Sequence, residues 1–464
     1  MFGKINAAIV GTGNIAGKMA DTLKYVRGVR KYAIISRDAD RARNFAASKG
    51  FKKSYGSLDE ALEDKKIDFV YIATPHTSHY ETAKKCLEHG KNVLCEKPMT
   101  INSKQAQELF EIAKEKELLI TEAMWTRFTP FAEKVRQEVR GKAIGEPVYL
   151  TANEGANIRS VERMTNPALG GGALLDLGIY AVNAALMFFG NDVLSITPVC
   201  TYTDTGVDEQ DSITIKYKNG RMAQLSASMV GVCDQQIRIY GTRGYMVIEG
   251  TDNFASLSIY GKDGEKLSYF KRPKQRTGYE YEVEEFVKAI QSGWNECPNM
   301  THDATLELIG MMDTIRAQLG IKYPGEPGYT APKIAITSTA KELMTDALEG
   351  SEHGKKAKSG QESDTNPDSG ARDGKTQETA DSAKTSDTPN AVKTPEAADA
   401  YSAAEPAAKT DSAVTADGSA KTESSGTDDA ANAPESSDAD TPSDASKTDD
   451  ANAAAEPAEN TDEN

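Results

Sequence analysis

The first sixteen residues constrain the fold more than any other stretch. Ile5–Val10 is a short apolar run, followed at once by Gly11-Thr12-Gly13-Asn14-Ile15-Ala16. Helical spacing follows, at Ile15, Met19 and Leu23. A strand, a G-x-G-x-x-A turn and a helix in that order make a dinucleotide fingerprint. Gly11 permits the tight turn, Gly13 lets backbone approach a pyrophosphate, and Ala16 lets the helix pack close to the strand. The helix N-terminus then offers free N–H groups to phosphate, which brings Thr12, Asn14 and Ile15 into the cradle.

The same alternation continues. Tyr32–Ile35 reads as a strand ending at Ser36-Arg37, with Arg41 one helical turn on. An NAD site expects an acidic residue here to hold the ribose 2′-hydroxyl. A hydroxyl beside two guanidinium groups suits a 2′-phosphate instead, so NADP is expected and NAD is the lesser choice. Asp38 has a second reading, as the cap of the helix over 39–47. Ser57-Leu58-Asp59-Glu60 reads as a capping box. Asp68–Ala73 is the next strand and ends at Thr74-Pro75-His76-Thr77-Ser78-His79. His76 and His79 lack a third or fourth ligand nearby, so no metal is expected. Thr74, Pro75 and His79 are expected on the nicotinamide or substrate side, and His76 in a loop or helix cap.

The run Asn92-Val93-Leu94-Cys95 ends abruptly in Glu96-Lys97-Pro98. Ligands of an open α/β sheet bind at the carboxyl ends of its strands, so an amine and a carboxylate stand where chemistry belongs. A further strand, Leu118–Thr121, leads to Glu122-Ala123-Met124-Trp125-Thr126-Arg127-Phe128. Trp125 and Arg127 can line a polar pocket, and Trp125 can equally form a seam between domains. Six strands alternating with helices make a doubly wound parallel sheet over residues 1–123.

From Pro147 the texture changes. After a strand over 148–152 and an irregular stretch holding Arg159 and Arg163, Gly170-Gly171-Gly172 opens a helix over 174–188. Asp176 and Tyr180 are four apart on one face of that apolar helix, and a buried Asp needs a partner. Seven strand-like runs between 197 and 270, punctuated by Asn219-Gly220 and Asp263-Gly264, predict a large open antiparallel meander. Helices over 281–291 and 302–319 pack back on it, giving an α+β domain over 124–335. An apolar outer face of such a sheet needs a partner, so a homodimer or higher homo-oligomer through it is expected.

Charge is unevenly placed. Residues 351–464 hold 10 Lys and Arg against 26 Asp and Glu, whereas residues 1–350 hold 44 of each. The segment 342–464 is poor in large apolar residues and is read as a disordered low-complexity tail. The balanced remainder gives no reason to expect nucleic-acid or membrane partners. No run approaches the length of a membrane span, and no leader pattern opens the chain. Five scattered cysteines without a C-x-x-C pair fit a reducing cytoplasm.

With GTGNIA at 11–16, Glu96-Lys97-Pro98 and GGGALLDLGIY at 170–180 in this order, the chain resembles the glucose–fructose oxidoreductase and inositol dehydrogenase (Gfo/Idh/MocA) family from about Ile5 to Pro324. Met124–Phe128 and Tyr180 are similar to the branch with dimeric dihydrodiol dehydrogenase and NADP-dependent xylose dehydrogenases. Many inositol-dehydrogenase relatives carry His where this chain has Tyr180. The resemblance implies that Lys97 lies near the reacting hydroxyl and that Tyr180 and Asp176 complete the catalytic group. It also implies a sugar, polyol or cyclic diol as the small-molecule substrate, a nicotinamide cofactor, and a cytoplasmic rather than exported enzyme. The competing expectation is a non-catalytic dinucleotide- or sugar-binding regulator on the same fold. A regulator has no need of Lys97, Asp176 and Tyr180 together.

Overall fold

In the computed structural model, residues 4–329 are described. The tail expected over 342–464 lies outside the described residues. The first sheet holds β1 (Ile5–Val10), β2 (Val29–Ile35), β3 (Lys53–Tyr55), β4 (Phe69–Ile72), β5 (Asn92–Glu96) and β6 (Ile120–Ala123). All pairs are parallel, in the order β3-β2-β1-β4-β5-β6. The order reverses between β1 and β4, which opens a crevice at their carboxyl ends. β3, a three-residue edge strand, is the one member whose limits the sequence does not mark.

Helices α1 (Asn14–Thr22), α2 (Ala39–Lys49), α3 (Leu58–Leu62), α4 (His79–Glu88) and α5 (Ser103–Glu115) fill the crossovers. Asp38 caps α2 by accepting from the N–H groups of Asp40 and Arg41, and Asn102 caps α5 through Gln105 N–H. The capping box expected at Ser57 does not close: α3 is present, but Ser57 makes no side-chain cap bond. After β6, a 3₁₀ turn (Trp125–Phe128) leads into α6 (Pro130–Arg140), capped by Thr129 with Pro130 at its first position.

The second sheet holds β7 (Pro147–Gly155), β8 (Val193–Tyr202), β9 (Asp208–Tyr217), β10 (Met222–Ser228), β11 (Gln236–Gly241), β12 (Gly244–Glu249), β13 (Ser256–Gly261) and β14 (Lys266–Lys271). Its order, β14-β13-β12-β11-β7-β10-β9-β8, is not a plain meander. β7 slots between β11 and β10 and runs parallel to β10; the other pairs are antiparallel. The reason is a crossover. The chain leaves β7 through α7 (Glu162–Thr165), a π-helical turn (Leu174–Gly178) and α8 (Ile179–Phe189) before the remaining strands form.

The expected single helix over 174–188 is therefore split into a π turn and α8. Every residue from Leu174 to Leu186 is buried. The stretch Pro167–Phe189 is long and apolar enough to cross a bilayer, but 94% of its most apolar window is buried inside the protein. A helix apolar all round is satisfied by a core on every side. Of the last helices, α9 (Glu280–Ser292) packs on the first sheet rather than the second, and α10 (His302–Leu319) lies against α5, α8 and β8. Phe286 lies against Phe69 at 5.3 Å between ring centroids, and His302 stacks on Phe110 at 4.0 Å. Arg316 on α10, 4% exposed, donates to Ile101 O at 2.9 Å and pairs with Asp313 and Glu326. The loop that follows Lys97 is thereby strapped from the far end of the chain.

Candidate active site

The crevice between β1 and β4 meets the requirements of a dinucleotide cradle. Gly11 has φ +112°, and a Cβ there would strike the Ala73 carbonyl oxygen at the end of β4. Only glycine fits both demands. Beside it, a Cβ on Gly13 would meet nothing within 4 Å, so the backbone faces open space. α1 starts there with no side-chain cap, leaving its first N–H groups for a ligand. Thr74 Oγ1 is buried without a partner among the described residues, on the β4 side of the same crevice. Ser36 is half-buried at the end of β2, and Arg37 and Arg41 are exposed beside it without an ion pair among the described residues. Asp38 is both neighbour and cap, and its capping of α2 leaves the Arg37 guanidinium exposed. Orphaned polar atoms, free N–H groups and guanidinium groups fit a phosphorylated dinucleotide.

One strand along, β5 delivers Lys97. Its Nζ donates to Asp176 O at 2.5 Å, lies 3.5 Å from Asp176 Oδ1, and sits 4.5 Å from the Tyr180 ring centroid. The Lys97–Pro98 peptide is cis. Asp176 lies in the π turn and Tyr180 one turn on, so residues distant in sequence converge on one ammonium. Gly172 sets the approach to that turn. It has φ +124°, and a Cβ would strike Asp208, whose carboxylate accepts from Leu174 N–H. Trp125 Nε1 donates to the Tyr180 hydroxyl at 3.1 Å, and its indole stacks on Tyr279 at 4.2 Å with planes 4° apart. Trp125 is thus both a seam residue and a fixture for Tyr180.

Two further groups face Asp176. Arg163 Nη2 lies 3.0 Å from Oδ2, and His76 Nε2 lies 3.8 Å from Oδ1. Burial alone would raise the Asp176 carboxyl. The Lys97 and Arg163 charges more than offset this and hold it well below the usual carboxylate range. His76 Nδ1 lies 2.9 Å from Gly170 O, and a carbonyl only accepts, so Nδ1 carries the proton. Burial pushes His76 down to about 3 against the pull of Asp176, so the pair is neutral imidazole and carboxylate. Sequence reasoning left His76 in a loop and gave Arg163 no role. His76 had a signal, a strand's carboxyl end like that of Lys97; Arg163, in an irregular stretch, had none.

Other expected residues acquire different partners. His79 is fully buried, with Nδ1 2.9 Å from Pro98 O and Nε2 2.8 Å from Thr74 O. It ties the β4 loop to the β5 loop and presents no ring nitrogen to the cleft. Pro75 starts the 3₁₀ turn that carries His76. Glu96 is buried, accepting from the Tyr71 hydroxyl and from Lys97 N–H. Its carboxyl is raised by burial, in a pocket shared with Glu282. Arg127 Nε donates to Asn183 Oδ1 at 2.5 Å, and burial lowers it to about 10. His79, Glu96 and Arg127 thus bind the protein's own loops, strands and α8.

Residues 5–124 match the family described as the oxidoreductase family with NAD-binding Rossmann fold, and residues 132–247 match the GFO/IDH/MocA C-terminal domain. A trans-1,2-dihydrobenzene-1,2-diol dehydrogenase of Xenopus tropicalis is 36% identical over 299 residues, which is 63% of this chain and 90% of that protein. The chain belongs to the GFO/IDH/MocA family of oxidoreductases. The human dihydrodiol dehydrogenase matches this oxidoreductase at 28% identity over 298 residues, covering 63% of this chain and 89% of its own. A 3-ketoreductase from Actinomadura kijaniata, solved with NADP and TDP-benzene, superposes with TM-score 0.63 at 25% identity, over 68% of this chain and 97% of that one. That ketoreductase was also solved with a lysine replaced by alanine, and with a tyrosine replaced by phenylalanine.

Proposed function

We propose that this oxidoreductase transfers a hydride between NADP and a CH–OH carbon of a sugar, polyol or cyclic diol. The observation that carries the reading is the convergence of Lys97, Asp176 and Tyr180 beside the glycine cradle. The cradle at Gly11, Thr12, Gly13, Asn14 and Ile15 would hold the pyrophosphate, and Ser36, Arg37 and Arg41 the 2′-phosphate. NADP in the ketoreductase relative supports a nicotinamide cofactor at this cradle. When bound, the nicotinamide supplies the hydride acceptor or donor.

Tyr180 takes the substrate hydroxyl proton as general base. An unperturbed phenol titrates at roughly 10, so it needs help near neutrality. The Lys97 ammonium over its ring favours the phenolate and stabilises alkoxide charge as it develops. Asp176 fixes that ammonium through its carbonyl and carboxylate, and Trp125 aims the Tyr180 hydroxyl. The five cysteines are all thiols, which suits the cytoplasm we assign. A second copy of the chain is assigned to the outer face of the second sheet.

The test supplies NADP and NAD in turn with D-xylose, D-glucose, myo-inositol and trans-cyclohexane-1,2-diol, following nicotinamide absorbance. NADP-linked turnover of at least one is expected. Failure of all four with both cofactors, in both directions, removes the dehydrogenase reading.

A further inference from the structure

A buried carboxyl that the mechanism above does not use lies against the same turn. Glu154 is the penultimate residue of β7, on the sheet face that also carries Leu150 and Ala152. That face packs on the Leu174–Gly178 turn and α8. The cross-strand neighbour of Glu154 on β10 is Ala227. Ala227 touches Gly178, where an added Cβ would lie 3.3 Å from the alanine methyl. Gly178 stands between Asp176 and Tyr180. Glu154 therefore sits one strand spacing, about 4.8 Å, from the strand residue on which the turn carrying both is packed.

Its two oxygens are treated unequally. Oε1 accepts from Gln235 Nε2 at 3.2 Å. Oε2 is buried with no partner among the described residues. The whole residue is 0% exposed. Gln235 is held there with φ +49°, unusual for a residue with a side chain, while its carbonyl accepts from Gly250 N–H at 2.8 Å. Lys97 does not neutralise Glu154, because its Nζ is bound to Asp176. Burial and then the Asp252 carboxylate push the Glu154 carboxyl well above the usual range, against the pull of Lys97. The proton belongs on Oε2, since Oε1 is accepting. The result is an O–H donor on the Asp176–Tyr180 side of the sheet with no acceptor among the described residues.

We propose that Glu154, as a neutral carboxylic acid, donates from Oε2 to a second substrate oxygen beside the reacting carbon, and so selects vicinal diols and polyols over simple alcohols. The proposal rests on the dehydrogenase reading and adds a specificity-determining residue to it. A site built to hydrogen-bond a substrate hydroxyl discriminates strongly against the analogue that lacks it.

The test compares trans-cyclohexane-1,2-diol with cyclohexanol, using NADP and the full chain. Glu154→Leu should lower the diol-to-alcohol ratio of kcat/KM by about tenfold. Glu154→Gln, which keeps one donor and one acceptor, should restore it. An unchanged ratio in a folded Glu154→Leu protein overturns the proposal. If that variant does not fold, pH decides. Glu154 is faced by Lys97, Asp176, Asp252 and the Cys233 thiol, with Asp234 held by the preceding residue, Asn153. Loss of its proton at alkaline pH removes the donor, so the wild-type ratio should fall there while that of Glu154→Gln holds. Parallel profiles overturn the idea. If the wild type turns over neither these compounds nor any substrate of the panel above, the dehydrogenase reading has failed instead. Calorimetry on the NADP-loaded protein then reads Glu154 directly. Diol binding about tenfold tighter than cyclohexanol binding supports it, and equal binding sinks it.

Discussion

Lys97 meets three kinds of partner at once: a carbonyl, a carboxylate and an aromatic face. Replacing it by Met keeps the length and removes the charge. Turnover should fall by at least about a thousandfold, because the alkoxide and the phenolate both lose their counter-charge. NADPH binding, measured by fluorescence titration, should stay within a few-fold of wild type. Surviving activity would refute the proposed mechanism. Arg37→Asp should swing the NADP-to-NAD ratio of kcat/KM toward NAD by more than about tenfold, since a carboxylate repels a 2′-phosphate and accepts from a ribose hydroxyl. At Asp176 the folded carboxyl titrates below its unfolded value, so its contribution to stability is complete above about pH 4. It is lost as pH falls through the depressed folded value. The stability gap between wild type and Asp176→Asn, measured by urea unfolding, should be constant from about pH 8 to 5 and shrink only in strong acid. A gap that already closes near neutrality would contradict the ion-pair account. Lys97, Asp176 and Tyr180 could be singled out from sequence because a strand end and a helix face are local patterns. Arg163, Glu154 and Gln235 could not, because their places depend on which strands become neighbours.

At the scale of elements, the first sheet was the legible part. Each β–α step is local in sequence, and the order reversal at β1 and β4 follows from the fingerprint at Gly11. The second sheet was legible as a set of strands but not as an order. No turn signal announces that β7 crosses a helix to lie parallel to β10. The π turn at Leu174–Gly178 was also invisible, since apolar spacing over one turn does not separate α from π geometry. Its geometry depends on Gly172 and Asp208. Gly172→Ala forces a Cβ into a left-handed backbone and against the Asp208 carboxylate. A loss of about 2–4 kcal/mol is expected by thermal denaturation, together with a fall in kcat larger than any change in KM for NADP. An alanine variant of wild-type stability would show that the turn does not depend on this contact.

Across the whole molecule, the two faces of the second sheet differ. The inner face packs on α8. The outer face carries a cross-strand row of Met222, Tyr149, Tyr240, Tyr245 and Tyr260, with Tyr245 and Tyr260 stacked at 4.7 Å. Val199, 62% exposed, belongs to the same outer face. An aromatic row of this extent is what a second copy would cover. Light scattering should give dimers or larger for the wild type and monomers for Tyr149→Glu combined with Val199→Glu. An unchanged mass would place the oligomer contact elsewhere.

The strap at Arg316 bears on how the enzyme comes into being. It reaches back 215 residues to Ile101, just past the Lys97 turn, and its own ion pair with Glu326 lies later still. A ribosome that has delivered the cofactor fingerprint, the lysine and the helix of Asp176 has not yet delivered the clamp that steadies the lysine's loop. Domains fold largely in the order they emerge. The first sheet can therefore assemble during synthesis, but the Lys97 turn is fastened only when residues near 326 have cleared the exit tunnel. Truncations ending before Arg316 should accordingly bind nucleotide while failing to turn over substrate.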